Sequence, residues 1–146
     1  MKPETEDALQ ELRSLFPLQD GCSGAFDEAV SRLAELADPE AIPALLDLAD
    51  ETCQLSGLMR SLMESLEVYE AEEYLPRFLA ALPGFAKRNP RLANTEVAKI
   101  LWSPKYLKLV AQMVPTLAAP VKRALRNVLV DVMAPERERD QLLALV

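Results

Sequence analysis

Apolar residues recur three and four positions apart along almost the whole chain, with polar residues between them. That spacing matches the helical repeat and predicts amphipathic helices throughout. Phe26, Val30, Leu33, Ala34 and Ala37 fall at i, i+4, i+7, i+8 and i+11, on a helix expected over 24–37. Its opposite face presents Asp27, Glu28, Ser31 and Glu35. Leu9, Leu12, Leu15 and Phe16 mark a helix over about 3–16, closed by Pro17 and the Gln19-Asp20-Gly21 stretch. Leu55, Leu58, Met59, Leu62 and Leu66 mark one over about 51–66, whose polar face carries Gln54, Gly57, Arg60, Ser61 and Glu64. Leu75, Phe78, Leu79 and Leu82 define another over 73–83, and Val121, Leu125, Val128, Leu129 and Val132 one over about 119–133.

The eleven prolines mostly punctuate these stripes. Asp38-Pro39, Asn89-Pro90 and Ser103-Pro104 read as helix starts, because the polar side chain can cap free amides and proline needs no donor in the first turn. They open helices over about 39–49, 90–101 and 104–114, and Pro135 opens a last one. Pro83-Gly84 and Pro115 read as stops. Pro43 and Pro76 are placed in the first turns of their helices, where a missing N–H costs least. Glu67, Glu70, Glu72 and Glu73 read as an acidic linker.

Three of these stretches resemble one another. The segment 73–83 matches 105–115, thirty-two residues later, Tyr for Tyr, Leu for Leu and Pro for Pro. Ile42-Pro43 stands thirty-three residues before Leu75-Pro76. A period of this size with helical content points to stacked helix pairs. The expected fold is therefore all-α: a HEAT-like helical-repeat solenoid of about nine antiparallel helices, forming a single domain over 1–146. By that analogy the helices near 24–37, 51–66, 90–101 and 119–133 line the concave side. Tyr74 and Tyr106 take equivalent packing positions on the outer helices.

Composition supports this class. Half the residues are hydrophobic but only 5% aromatic, and Leu and Ala dominate. No apolar run approaches the roughly 20 residues needed to cross a bilayer. The start, Met1-Lys2-Pro3-Glu4-Thr5-Glu6-Asp7, lacks the apolar core of a signal peptide, so the expected location is cytoplasmic and no membrane partner is expected. The net charge of −7 is unevenly distributed: residues 1–75 sum to −14 and residues 76–146 to +7. This is either an uneven solvated surface or a docking surface for a basic partner. The basic half lacks aromatics interleaved with Lys and Arg, so no nucleic-acid partner is expected. The split also permits head-to-tail self-association, leaving the oligomeric state open.

Chemistry is sparse. The chain has no His, no nucleophile elbow and no glycine-rich phosphate loop. With two thiols, Cys22 and Cys53, and no imidazole, a structural zinc site is not expected. Cys53 reads as a small buried hydrophobe at the edge of a helix stripe, and Cys22 as a loop residue. Glu64 with Glu67, and Glu70 with Glu72 and Glu73, could hold a cation or a proton, but acidic runs on a polar face are commonly just solvated. We expect no enzyme activity and no cofactor. Trp102, the only tryptophan, sits at a helix junction and reads either as half-buried packing against the next helix or as a partner anchor.

Residues 72–133 resemble a known family. The resembling features are Glu73-Tyr74-Leu75, Phe78-Leu79, Leu82-Pro83, Asn89-Pro90-Arg91-Leu92-Ala93, Lys99-Ile100-Leu101-Trp102-Ser103 and Tyr106. They are similar to the small all-helical immunity proteins of bacterial polymorphic toxin systems catalogued as immunity protein thirty. The resemblance implies a non-catalytic protein that binds a cognate toxin domain and blocks it, and the acidic half would suit a basic, nuclease-type toxin. The expected contact residues are Asp27, Glu28 and Glu35, then Glu64 and Glu67, with Arg60 and Trp102 secondary. A general HEAT-type adaptor holding a peptide or helix in its concave groove is the alternative.

Overall fold

Helix α1, Pro3–Ser14, follows the first stripe: Thr5, Ala8, Leu9 and Leu12 are buried on one side. Pro3 opens it, Glu4 and Glu6 lie in its first turn and Arg13 in its last, charges that complement the helix dipole. The computed structural model describes residues 1–133 and 135–146. All regular structure among them is helical: nine α-helices and three short 3₁₀ turns. The chain divides into two compact units, 1–70 and 71–146. The first carries 16 acidic and 4 basic side chains, a net of −12, and the second 7 and 12, a net of +5. The charge split therefore follows the division into units.

In the first unit α2, Ser23–Leu36, buries Phe26, Ala29, Val30 and Leu33 and packs against α1. It ends on Ala37, whose N–H bonds to the Leu33 carbonyl while its backbone turns left-handed at φ 47. An exposed residue with a Cβ is strained there; glycine is not. Ala37→Gly is expected to raise the stability of the fold by about 0.5–1 kcal/mol, read as a higher urea midpoint.

Asp38 then caps as the sequence implies: its Oδ1 accepts the Glu40 N–H at 3.1 Å, and a 3₁₀ turn, Pro39–Ala41, leads into α3, Ile42–Leu48. The next helix starts later than the stripe predicts. Asp50 accepts both the N–H and the hydroxyl of Thr52, at 2.9 and 2.6 Å. This local turn competes with helix formation, so α4 runs only over Ser56–Ser65. Cys53 consequently lies in a half-buried loop, not on a helix stripe. α4 buries Leu58, Met59, Leu62 and Met63 and packs against α2.

The second unit is built on α5, Ala71–Arg88, which buries Tyr74, Leu75, Phe78, Leu79, Leu82 and Phe85. Two expectations change here. Glu72 and Glu73 are not linker but the first turn of α5, where their charge suits the dipole. Pro76 and Pro83 both lie inside the helix, so neither does Pro83-Gly84 end it nor does Pro76 sit in the first turn. Each proline removes one backbone bond. They are seven residues apart and thus on one side, away from the fully buried stripe, with Pro76 exposed and Pro83 half-buried. The aromatic burial offsets the missing bonds: the Tyr74 and Phe78 rings stack at 5.5 Å, and Phe85 meets Phe78 edge-on at 6.0 Å.

α6, Pro90–Trp102, and α7, Pro104–Met113, follow. Ser103 caps α7 by accepting the Tyr106 N–H at 3.2 Å, whereas the buried Asn89 makes no side-chain cap bond to α6. A 3₁₀ turn, Val114–Thr116, leads to α8, Ala119–Asp131, and α9 is Glu136–Leu143. α5 contacts α6, α7 and α8, and α6 also contacts α7, α8 and α9. Tyr74 is buried but Tyr106 is only half-buried, so the matched repeat positions differ in their surroundings.

Candidate functional site

The face of α2 opposite its apolar stripe is acidic because burial of Phe26, Val30 and Leu33 leaves the intervening positions in water. Asp27, Glu28 and Glu35 are all exposed. The one cation of this helix, Arg32, reaches 3.4 Å to Glu11 of α1 and so does not neutralise them. Among the described residues Asp27, Glu28 and Glu35 have no ion pair. Unpaired carboxylates gathered on a surface of one sign repel one another and attract a cationic partner.

Arg60 and Glu64 stand at i and i+4 on the exposed side of α4, and Glu67 follows in the 3₁₀ turn Leu66–Val68. α2 and α4 pack together, so six of the seven expected contact residues lie on neighbouring elements of one acidic unit. Trp102 belongs to the other unit. It is 69% exposed at the C-terminus of α6. That overturns the reading of a half-buried junction residue. The α6 stripe of Ala93, Val97, Ile100 and Leu101 turns inward and leaves position 102 in solvent. An indole with this much free surface is costly to hydrate and suits an interface anchor.

Polar groups are also buried. Asp38 is 6% exposed and accepts the Lys2 N–H at 3.0 Å as well as that of Glu40. The Lys2 bond chiefly, then that of Glu40, holds the carboxyl below the usual carboxylate range despite the opposing effect of burial. A folded-state value below the unfolded one stabilises the protein above the unfolded pKa, and the gain is lost as pH falls through the folded one. Stability is thus expected to drop as pH is lowered below about 4, the ordinary range of Asp. In Asp38→Asn that acid limb should be flatter, as followed by urea unfolding at pH 3 and pH 6. Nearby, the Tyr69 hydroxyl is buried with no hydrogen-bond partner; burial, then the charge of Asp38, pushes the phenol up to about 12.

In the second unit Glu96 of α6 is buried, takes the Tyr74 hydroxyl at 2.9 Å and pairs with Lys99 at 2.7 Å. The periodicity contained a signal for it. Glu96 stands three residues after Ala93 and four before Ile100, on the apolar stripe itself. This carboxylate joins α5 to α6 and holds the scaffold that carries Trp102.

No group of three or more His, Cys, Asp or Glu side chains placed to hold a metal ion occurs among the described residues. No described helix is long and apolar enough to cross a membrane. A family model described as Immunity protein 30 matches residues 11–110. The match includes all seven expected contact residues and ends before α8 and α9. No curated protein and no solved structure matches the chain.

Proposed function

The chain belongs to the immunity protein 30 family, and from that premise we propose that it works by capture: it binds a cognate toxin domain in the producing cell and covers it, with no chemistry of its own. The observation that carries the reading is the set of unpaired, exposed carboxylates Asp27, Glu28 and Glu35 on α2, within a unit of net charge −12. A basic substrate groove, as a nuclease-type toxin would present, is the complementary surface. Glu64 of α4 and Glu67 of the 3₁₀ turn that follows extend the acidic contact. Trp102 supplies an apolar anchor.

Co-expression tests this. The product of the adjacent upstream gene is expected to co-purify with the protein, and its C-terminal domain to be toxic alone and harmless together. Failure to restore growth would remove the immunity reading and leave the adaptor. Trp102 reports the same event: its emission should be red-shifted in the free protein and move to the blue on complex formation. An unchanged spectrum in a formed complex would place Trp102 outside the interface.

A further inference from the structure

The first unit contains a solvent-open cavity of about 560 Å³, within the roughly 300–1,000 Å³ usual for sites that enclose a ligand group. Its walls are the α1–α2 connection and the α3–α4 connection, and they include Phe16, Leu18, Asp20, Asp50, Cys53 and Gln54. We infer that this cleft receives an arginine side chain of the bound partner, an inference that rests on the capture reading above.

Three features of the walls favour that occupant. The first is charge. Two carboxylates line the cleft and no basic side chain does, within a unit of net −12. The second is preorganisation. The Oδ1 of Asp50 takes both Thr52 bonds, while the Asp50 N–H is held by the Met59 sulfur at 3.4 Å. The remaining oxygen, Oδ2, is fixed in place with its lone pairs unused among the described residues. The Thr52 hydroxyl, then its N–H, also keeps this carboxyl below the usual range and therefore charged. Asp20 stands in the turn closed by the Cys22 N–H to the Gln19 carbonyl, with Gly21 at φ 90. That turn requires a glycine, so the position of Asp20 is set by the backbone. The third is the aromatic wall. The half-buried Phe16 ring is braced against Phe26 at a centroid distance of 6.4 Å. A planar guanidinium can stack on a ring and pair with a carboxylate in its own plane; a lysine ammonium cannot do both as well.

Cys53, half-buried in the cleft wall, provides the readout. In a Cys22→Ser variant it is the sole thiol, and its rate of alkylation by N-ethylmaleimide measures access. Addition of the toxin domain that rescues growth should slow alkylation at least tenfold. Gln54→Lys, which places a competing cation at the exposed rim, should weaken that toxin at least tenfold while the urea midpoint stays unchanged. A complex that forms normally with Cys53 still reactive and Gln54→Lys still competent would overturn the inference and leave the immunity reading intact. If no toxin binds, the immunity reading falls, and the cleft is judged with acetyl-Gly-Arg-Gly-amide at millimolar concentration. Slower alkylation than with the citrulline analogue supports an arginine site, and equal rates overturn it.

Discussion

Glu96→Ala is expected to lower the unfolding free energy by about 3 kcal/mol, because it strips a buried hydrogen-bonded charge from between two helices. Glu96 is 6% exposed and receives a hydroxyl from Tyr74 of α5 and an ammonium from Lys99 of its own helix. Alanine removes both acceptors and leaves the Tyr74 hydroxyl buried. The order within a series is more informative than one value. Tyr74→Phe removes the donor but keeps the ring stacked on Phe78, and should cost about 1.5–2 kcal/mol, the cost of a bond to a charged acceptor. Glu96→Gln retains an oxygen for Tyr74 and loses only the pair with the half-exposed Lys99, so about 1 kcal/mol is expected. Urea midpoints in the order Glu96→Gln, Tyr74→Phe, Glu96→Ala, from highest to lowest, would confirm the network. Equal midpoints for all three would show that the carboxylate is idle.

Glu96 also illustrates what was legible in the chain. At Phe26, Val30 and Leu33 and at Leu125, Val128 and Leu129, side-chain periodicity placed both helix and buried face, whereas Ala37, at the end of the first of these stripes, is exposed beyond the helix. Membership of the immunity protein family was legible too, from the residues around Tyr74, Asn89 and Trp102. The failures occurred where a local preference and a tertiary one disagree. Pro83 signals a stop, yet Leu82 and Phe85 are buried on either side of it and the helix continues. Leu55 and Cys53 continue an apolar pattern, yet Asp50 satisfies the Thr52 amide first and the helix is delayed to Ser56. Trp102 is apolar, yet it follows the last inward-facing turn of α6 and is 69% exposed. The cleft walls come from two separate connections, with Asp20 and Asp50 thirty residues apart, and no periodicity joins them.

The outward acidic residues were legible because an amphipathic helix that buries one face must expose the other. Their role is separable from the fold, and the strongest test uses that. Reversing Glu28, Glu35 and Glu64 together to lysine takes the first unit from −12 to −6 without touching a buried atom. All three are exposed, and among the described residues none is in an ion pair, so folding stability should hold or rise slightly as self-repulsion is relieved. Capture of a basic toxin should suffer instead. Steering by opposite fields raises association rates by about 10–10³-fold, so the triple variant is expected to associate roughly a hundredfold more slowly at low salt. Its dissociation rate should change far less, because rim charges act mainly on encounter. The difference must also fade with ionic strength, since at 1 M salt screening acts within about 3 Å. Stopped-flow association with the cognate domain at 20 mM and 1 M salt distinguishes the outcomes. Convergence of the two proteins at high salt identifies electrostatic capture by the α2 and α4 faces. Equal rates and equal salt slopes at both concentrations would mean that the toxin is met elsewhere on the protein.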